Sequence, residues 1–182
     1  MHKYLILILL TPILMGCSTE NVNPEQEQQA WFWVTTFGGV CGCTTSFIFI
    51  DGKGQIREVQ AENLDQVNSP IGNWTEDTGG TWEEDALKQS LDLAIGPLTQ
   101  PNLEELRELI RMIPEDRGTR EIPEEERCFD AAATHYSALV KVENSTRYKV
   151  VYLGSSVDCG NGAREHITRR GRRLLQALQE LI

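Results

Sequence analysis

Two cysteines lie in a glycine-rich stretch, FGGVCGC at residues 37–43, between two runs of β-branched and aromatic residues. Their spacing is compatible with three kinds of chemistry. Two thiolates are half of a structural zinc site, a Cys-x-Cys disulfide is strained and redox-labile, and a structural bridge would brace the end of a hairpin. The sequence has no Cys-x-x-Cys motif and no histidine near Cys41 and Cys43, which favours the structural bridge over a redox or metal site.

Two further cysteines, Cys128 and Cys159, flank a region in which two alternating strands are predicted. If the turn of that hairpin centres near residue 145, these cysteines come close together at its open end. A disulfide there would close a loop of about 30 residues and contribute roughly 3 to 4 kcal/mol by the chain-entropy model. We predict the pairs Cys128–Cys159 and Cys41–Cys43, with a cross-pairing such as Cys41 to Cys128 as the alternative.

Motifs for catalysis are missing from the sequence, which lacks Gly-x-Ser-x-Gly, His-Glu-x-x-His and a glycine-rich phosphate loop. His135 and Ser137 are two residues apart in a predicted strand, so a base and a nucleophile would point the same way there. A half-buried strand histidine is the simpler interpretation. We therefore predict no enzyme activity, no catalytic residue, no metal and no cofactor.

The N-terminal segment decides the compartment in which the cysteines would act. Lys3 precedes an apolar run over residues 5–14, and the segment closes with Leu-Met-Gly-Cys at Cys17. This pattern is typical of a secretory signal peptide, residues 1–16, too short for a stable membrane span. Its end resembles the lipobox of bacterial lipoproteins, which implies cleavage before Cys17 and acyl chains, palmitate among them, on that residue. An uncleaved anchor or plain secretion is the alternative.

Charge and composition limit the partners. The chain has 27 acidic and 17 basic side chains, a net charge of −10 at pH 7, and so lacks the basic face that nucleic acid requires. Residues 17–29 are polar and predict a lipidated flexible tether, whereas residues 30–182 are long enough for one domain. We expect a lipid-anchored protein of the bacterial cell envelope. Ser18 favours the outer membrane, facing the periplasm or the cell surface, in a host that has one.

The expected fold class is α+β, with two antiparallel β-hairpin or meander segments packed against helices. Aromatic and β-branched runs predict three strands of a meander at 31–37, 44–50 and 55–59, followed by an irregular connection over 60–80. Alternating residues predict a second hairpin, with strands at 134–142 and 147–153.

Three helices are expected. Thr81 with Glu84, and Asn102 with Glu105, form capping boxes that open two mid-chain helices. Gly96-Pro97 and Pro114 are their expected stops, and the charged segment from Pro114 to Arg127 predicts an exposed loop. A C-terminal helix is predicted from about Ala163 to Ile182. Its outer arginines would meet solvent, the chain's own carboxylates or an acidic partner: Arg169, Arg170, Arg172 and Arg173.

A family resemblance covers roughly residues 32–182. Gly38, Gly39 and Gly42 match the Ser-Gly-Gly-x-x-Gly motif of the emfourin-like family, with Phe37 in place of the serine, and Asp130 with Tyr136 falls near its Asp…Tyr strand entry. This family comprises small bacterial proteins whose named member inhibits a thermolysin-type metalloprotease. The resemblance implies a protein partner, a protease. No inhibitory residue is carried over from the family. The candidates for contact with a partner are the glycine-rich tip, with Gly38, Gly39, Val40 and Gly42, and the charged loop from Pro114 to Arg127.

Two classes of function therefore compete. One is a non-catalytic binding module, with protease inhibition as its specific form, and the other is a structural envelope lipoprotein without a discrete ligand. A thiol redox or metal-binding protein that uses Cys41 and Cys43 is the third hypothesis.

Overall fold

The computed structural model describes residues 28–38, 43–67, 80–99, 103–115, 118–122, 132–157 and 163–182. These ranges contain antiparallel strands and helices, which confirms the α+β class. The strands are β1 Ala30–Phe37, β2 Thr44–Asp51, β3 Ile56–Val59, β4 Thr81–Glu83, β5 Ala94–Thr99, β6 Thr119–Glu121, β7 Ala133–Lys141, β8 Arg147–Val157 and β9 Arg164–His166. The α-helices are α1 Glu84–Asp92, α2 Leu103–Arg111 and α3 Arg169–Leu181, and a 3₁₀ helix, η1, spans Ala61–Gln66.

The predicted meander and hairpin are two parts of one antiparallel sheet. Its order is β5-β3-β2-β1-β7-β8-β9-β6, and β4 pairs with β8 as well. The two parts meet where β1 pairs with β7, with Trp33 opposite Ser137. Residues 30–35 of β1 are all buried, as expected for a central strand covered on both faces.

Helices cover both faces of the sheet. Phe32 and Val34 of β1 belong to one hydrophobic core, to which α2 contributes Leu109 and α3 contributes Leu174. Trp33 points the other way, into a core shared with α1 and η1. Because successive side chains of β1 point to opposite faces of the sheet, this strand contributes to both hydrophobic cores.

The first predicted helix is shorter than expected, and its capping box is wrong. Thr81 lies in β4, and α1 begins at Glu84 after an N-cap, Glu83, whose side chain makes no capping hydrogen bond. The reason is tertiary, because Trp82 pairs with Tyr148 and is buried among aromatic rings. Gly96-Pro97 lies inside β5 rather than ending a helix, since α1 has already ended at Asp92.

The second predicted helix agrees with α2. Its apolar positions are buried as the helical spacing requires: Leu106, Leu109, Ile110 and, just beyond the helix, Ile113. Asn102, the predicted cap, lies outside the described residues.

The C-terminal helix starts at Arg169, six residues later than predicted, because Arg164–His166 forms β9. Its partner β6 lies inside the segment from Pro114 to Arg127 that was predicted to be an exposed loop, so that prediction is wrong for 119–121. Residues 116–117 and 123–127 of the same segment lie outside the described ranges. The Thr168 hydroxyl caps α3 by accepting from the Gly171 N–H at 3.1 Å.

The second hairpin has the predicted centre. Ser137 pairs with Tyr152 and Ala138 with Val151, although a register shift next to Tyr136 displaces the partners beyond it by one residue. Strand β8 runs to Val157, four residues past the predicted end. No helix within the described ranges is long and apolar enough to cross a membrane.

Candidate functional site

The base of the β1–β2 hairpin is paired and hydrogen-bonded up to Gly38 and Cys43. Phe37 pairs with Thr44, and the Gly38 N–H donates to the Cys43 carbonyl at 2.8 Å. Four residues separate these two hydrogen-bonded positions. Among the predicted partner-binding residues, Gly38 is therefore placed at the hairpin base, whereas Gly39, Val40 and Gly42 lie outside the described residues.

Cys43 is disulfide-bonded. It is the one cysteine in the described ranges, so its partner lies outside them, and the pairings Cys41–Cys43 and Cys128–Cys159 stay predictions. Cys17, the predicted lipidation site, also lies outside. Within the described part of the chain, no group of three or more His, Cys, Asp or Glu side chains is placed to hold a metal ion.

Aromatic rings support the hairpin base from the neighbouring strands. The ring of Phe37 meets that of His135 edge-on, with 5.3 Å between centroids, and His135 lies 5.7 Å from the ring of Tyr152. The three side chains come from β1, β7 and β8, so the end of the sheet next to residues 39–42 is cross-braced by side chains as well as by backbone hydrogen bonds.

His135 is part of this packing, in agreement with the simpler interpretation of its sequence position. Burial lowers the pKa of its imidazole from the ordinary value of 6.5. Ser137, the nucleophile of the alternative interpretation, is 3% exposed in the sheet. A substrate has no access to a hydroxyl buried there, so the pair offers no catalytic site.

The lowered pKa of His135 predicts a pH-dependent stability. The unfolded chain takes up a proton near pH 6.5 that the folded chain resists, so this contribution is complete above that pH and is lost as the pH falls. A His135→Phe variant keeps the ring contacts without the titrating group. Urea unfolding at about pH 7.5 and about pH 5.5 should show a smaller loss of stability in the variant than in the wild type. Equal losses would contradict this role.

A cleft of about 660 Å³ lies between α3, β8 and β9, and we call it the arginine cleft. It brings together three of the four arginines predicted on the outer side of the C-terminal helix, whereas Arg170 is not among its lining residues. Sequence reasoning missed Arg164, because the strand that carries it was predicted as helix. The lining residues are Ile122, Ser155, Ser156, Val157, Arg164, Glu165, Arg169, Arg172, Arg173, Leu175, Gln176 and Gln179.

A second cleft, of about 610 Å³, opens where the predicted tether meets the domain. The Gln29 N–H donates to the Tyr148 hydroxyl at 3.1 Å, and the Lys141 N–H donates to Gln28 Oε1 at 3.2 Å. Burial raises the pKa of Tyr148, which keeps its hydroxyl protonated. Gln28 and Gln29 were predicted to belong to the tether, but these contacts make them part of the fold.

No protein-family model, curated protein or solved structure matches this chain. The fold and its surfaces define an α+β domain with a braced hairpin and two polar clefts. The likeness to emfourin-like proteins stays a prediction from the motif at Gly38, Gly39 and Gly42.

Proposed function

We propose that this protein is a lipid-anchored binding protein of the bacterial cell envelope and that it catalyses no reaction. Its partner contacts the hairpin end around Gly38, Gly39, Val40 and Gly42. The observation that carries the proposal is the bracing of this hairpin, by the Gly38 to Cys43 hydrogen bond and by the disulfide at Cys43.

The position of the hairpin in the sheet holds the end of β1 between two neighbouring strands. Strand β1 is flanked by β2 and β7, and both neighbours pair with Phe37 at the strand end. A short connection between fixed strand ends loses less conformational entropy on binding than a long flexible loop does. Such a segment suits insertion into a cleft on a partner protein.

The compartment follows from the N-terminal segment and the cysteines. The lipobox-like sequence that ends at Cys17 supports export and acylation, and several acyl chains anchor a domain durably. A disulfide at Cys43 is consistent with export, because disulfides persist outside the reducing cytosol.

The most specific form of the proposal is inhibition of a thermolysin-type metalloprotease, which the emfourin-like motif supports. The test is to titrate the soluble chain lacking residues 1–27 against thermolysin-type proteases and the host's own secreted proteases. Residues Gln28 and Gln29 must be retained because they hydrogen-bond to the domain. We expect loss of protease activity that is complete at a stoichiometric ratio.

Two matched variants test whether the protease contacts the hairpin end. Val40→Asp should weaken inhibition at least about tenfold, because it puts a charge into an interface core. Val142→Asp makes the same change at a 41% exposed position in the other hairpin turn and should leave inhibition unchanged. An intact protein that inhibits none of these proteases would favour the structural envelope lipoprotein instead. Slow cleavage of the chain without stoichiometric inhibition would identify a substrate.

A further inference from the structure

The arginine cleft concentrates positive charge on an acidic protein. Four arginines line it, and Glu165 is the one acidic side chain among the lining residues that the structure describes. Glu165 is already engaged, because Arg120 forms an ion pair with it and Arg172 Nε lies 3.8 Å from its Oε2. The described lining residues therefore carry four arginines and one carboxylate, in a chain whose overall charge is −10.

The first turn of α3 carries positive charge that is unfavourable for the stability of the helix. Its first turn has no acidic residue and carries Arg169 and Arg170 instead. Cations at a helix N-terminus oppose the macrodipole, which favours anions there. An anion bound beside Arg169 would offset this repulsion.

Two of the arginines also donate hydrogen bonds to uncharged groups. The Arg172 Nη1 group donates to the Ile167 carbonyl at 2.8 Å, and Arg164 Nε donates to the Thr119 hydroxyl at 3.1 Å. Within the described part of the chain, Arg169 and Arg173 form no ion pair and are exposed. The cleft thus combines two positioned guanidinium groups with two that reach into solvent.

The lining beyond the arginines is rich in hydrogen-bonding groups. Ser155 and Ser156 come from β8, and Gln176 and Gln179 follow the arginines along α3. From Arg169 to Gln179 the helix advances about 15 Å. A volume of about 660 Å³ falls within the range of small-molecule sites and exceeds what a single phosphate group fills.

We propose that the arginine cleft binds the phosphate group of a phosphate monoester. Guanidinium groups match phosphate oxygens with paired, charge-assisted hydrogen bonds, and hydroxyl and amide groups bind the rest of a small polar ligand. The dense charge in one cleft favours a compact, multiply charged anion over the dispersed carboxylates of an acidic protein. Such an ester occurs free in solution and as part of envelope lipids or polymers.

This site is separate from the hairpin contact of the proposed function. Val157, which lines the cleft, pairs with Ala133, and Ala133 pairs with Phe37. Val157 and Phe37, at the base of the hairpin, are therefore two strands or about 10 Å apart. Phosphate binding does not require that the hairpin inhibits a protease.

The test uses the full chain purified in a neutral detergent, with thermal unfolding measured at constant ionic strength. Glycerol 3-phosphate and inorganic phosphate are the probes, and glycerol is the control. We expect saturable stabilisation by the phosphate probes and none by glycerol. Tighter binding of glycerol 3-phosphate than of inorganic phosphate would support the ester, whereas equal or weaker binding would overturn the ester and leave free phosphate as the ligand.

Matched variants distinguish a specific phosphate site from nonspecific attraction of anions to positive charge. Arg173→Gln should weaken phosphate binding at least about tenfold, because a charge-assisted contact is lost. Arg170→Gln removes the same charge from the same helix outside the cleft and should change binding less than about twofold. If Arg173→Gln perturbs folding, Arg169→Gln replaces it. The proposal would be overturned if the cleft and control variants weakened binding equally, or if phosphate did not stabilise the protein. It would also be overturned if a glutamate-rich peptide bound instead of phosphate.

Discussion

Replacing Trp82 by alanine should lower the free energy of unfolding by about 3 to 5 kcal/mol, the usual cost of deleting a buried aromatic side chain. Trp82 is 2% exposed. Its ring centroid lies 5.2 Å from that of Trp33 and 5.9 Å from that of Phe49. The loss is large because Trp82 belongs to β4, a three-residue strand that the aromatic contacts hold against β8.

Urea unfolding followed by far-UV circular dichroism measures this effect without relying on tryptophan fluorescence. Ile95→Ala is the control, because Ile95 is an apolar residue of strand β5 that is 47% exposed. It should cost less than about 1 kcal/mol. A Trp82→Ala variant as stable as this control would show that the aromatic cluster does not stabilise the fold.

Replacing Cys17 by serine should move the protein from the membrane fraction to the soluble fraction and leave its precursor uncut. The physical reason is that a serine cannot carry the thioether-linked lipid that would hold the domain at the membrane. Cell fractionation and immunoblotting of both forms measure the change. Ser18→Ala, which leaves Cys17 intact, should stay in the membrane fraction. Unchanged membrane partitioning of the Cys17→Ser variant would contradict the anchor.

The fold class and the strands β1, β2, β3, β7 and β8 could be predicted because their signals are local. Residues 31–37 are aromatic and β-branched without a break, and the second hairpin alternates around a polar turn at which Asn144 has a positive φ of 54°. Sequence reasoning did not reveal that β1 pairs with β7, because that contact joins segments about a hundred residues apart. The structure therefore has one sheet where the sequence predicted two separate antiparallel segments.

The errors lie where tertiary pairing overrides a local motif. Thr81 and Glu84 have capping-box spacing, but burial of Trp82 against Tyr148 makes Thr81–Glu83 a strand. Strands β6 and β9 are three residues long and charged, so neither shows alternation that would predict it. Their pairing brings Arg164 to the arginine cleft, which is why the outer arginines of α3 were predicted but the cleft was not.

The central claim is that a lipid on Cys17 holds this domain in the cell envelope, since every proposed partner depends on that compartment. The most direct measurement is mass spectrometry of the N-terminal peptide from protein extracted from membranes. We predict a peptide that begins at Cys17 and carries acyl chains on that residue. A membrane-extracted chain that retains residues 1–16, or one that begins after them without a lipid, would contradict the account.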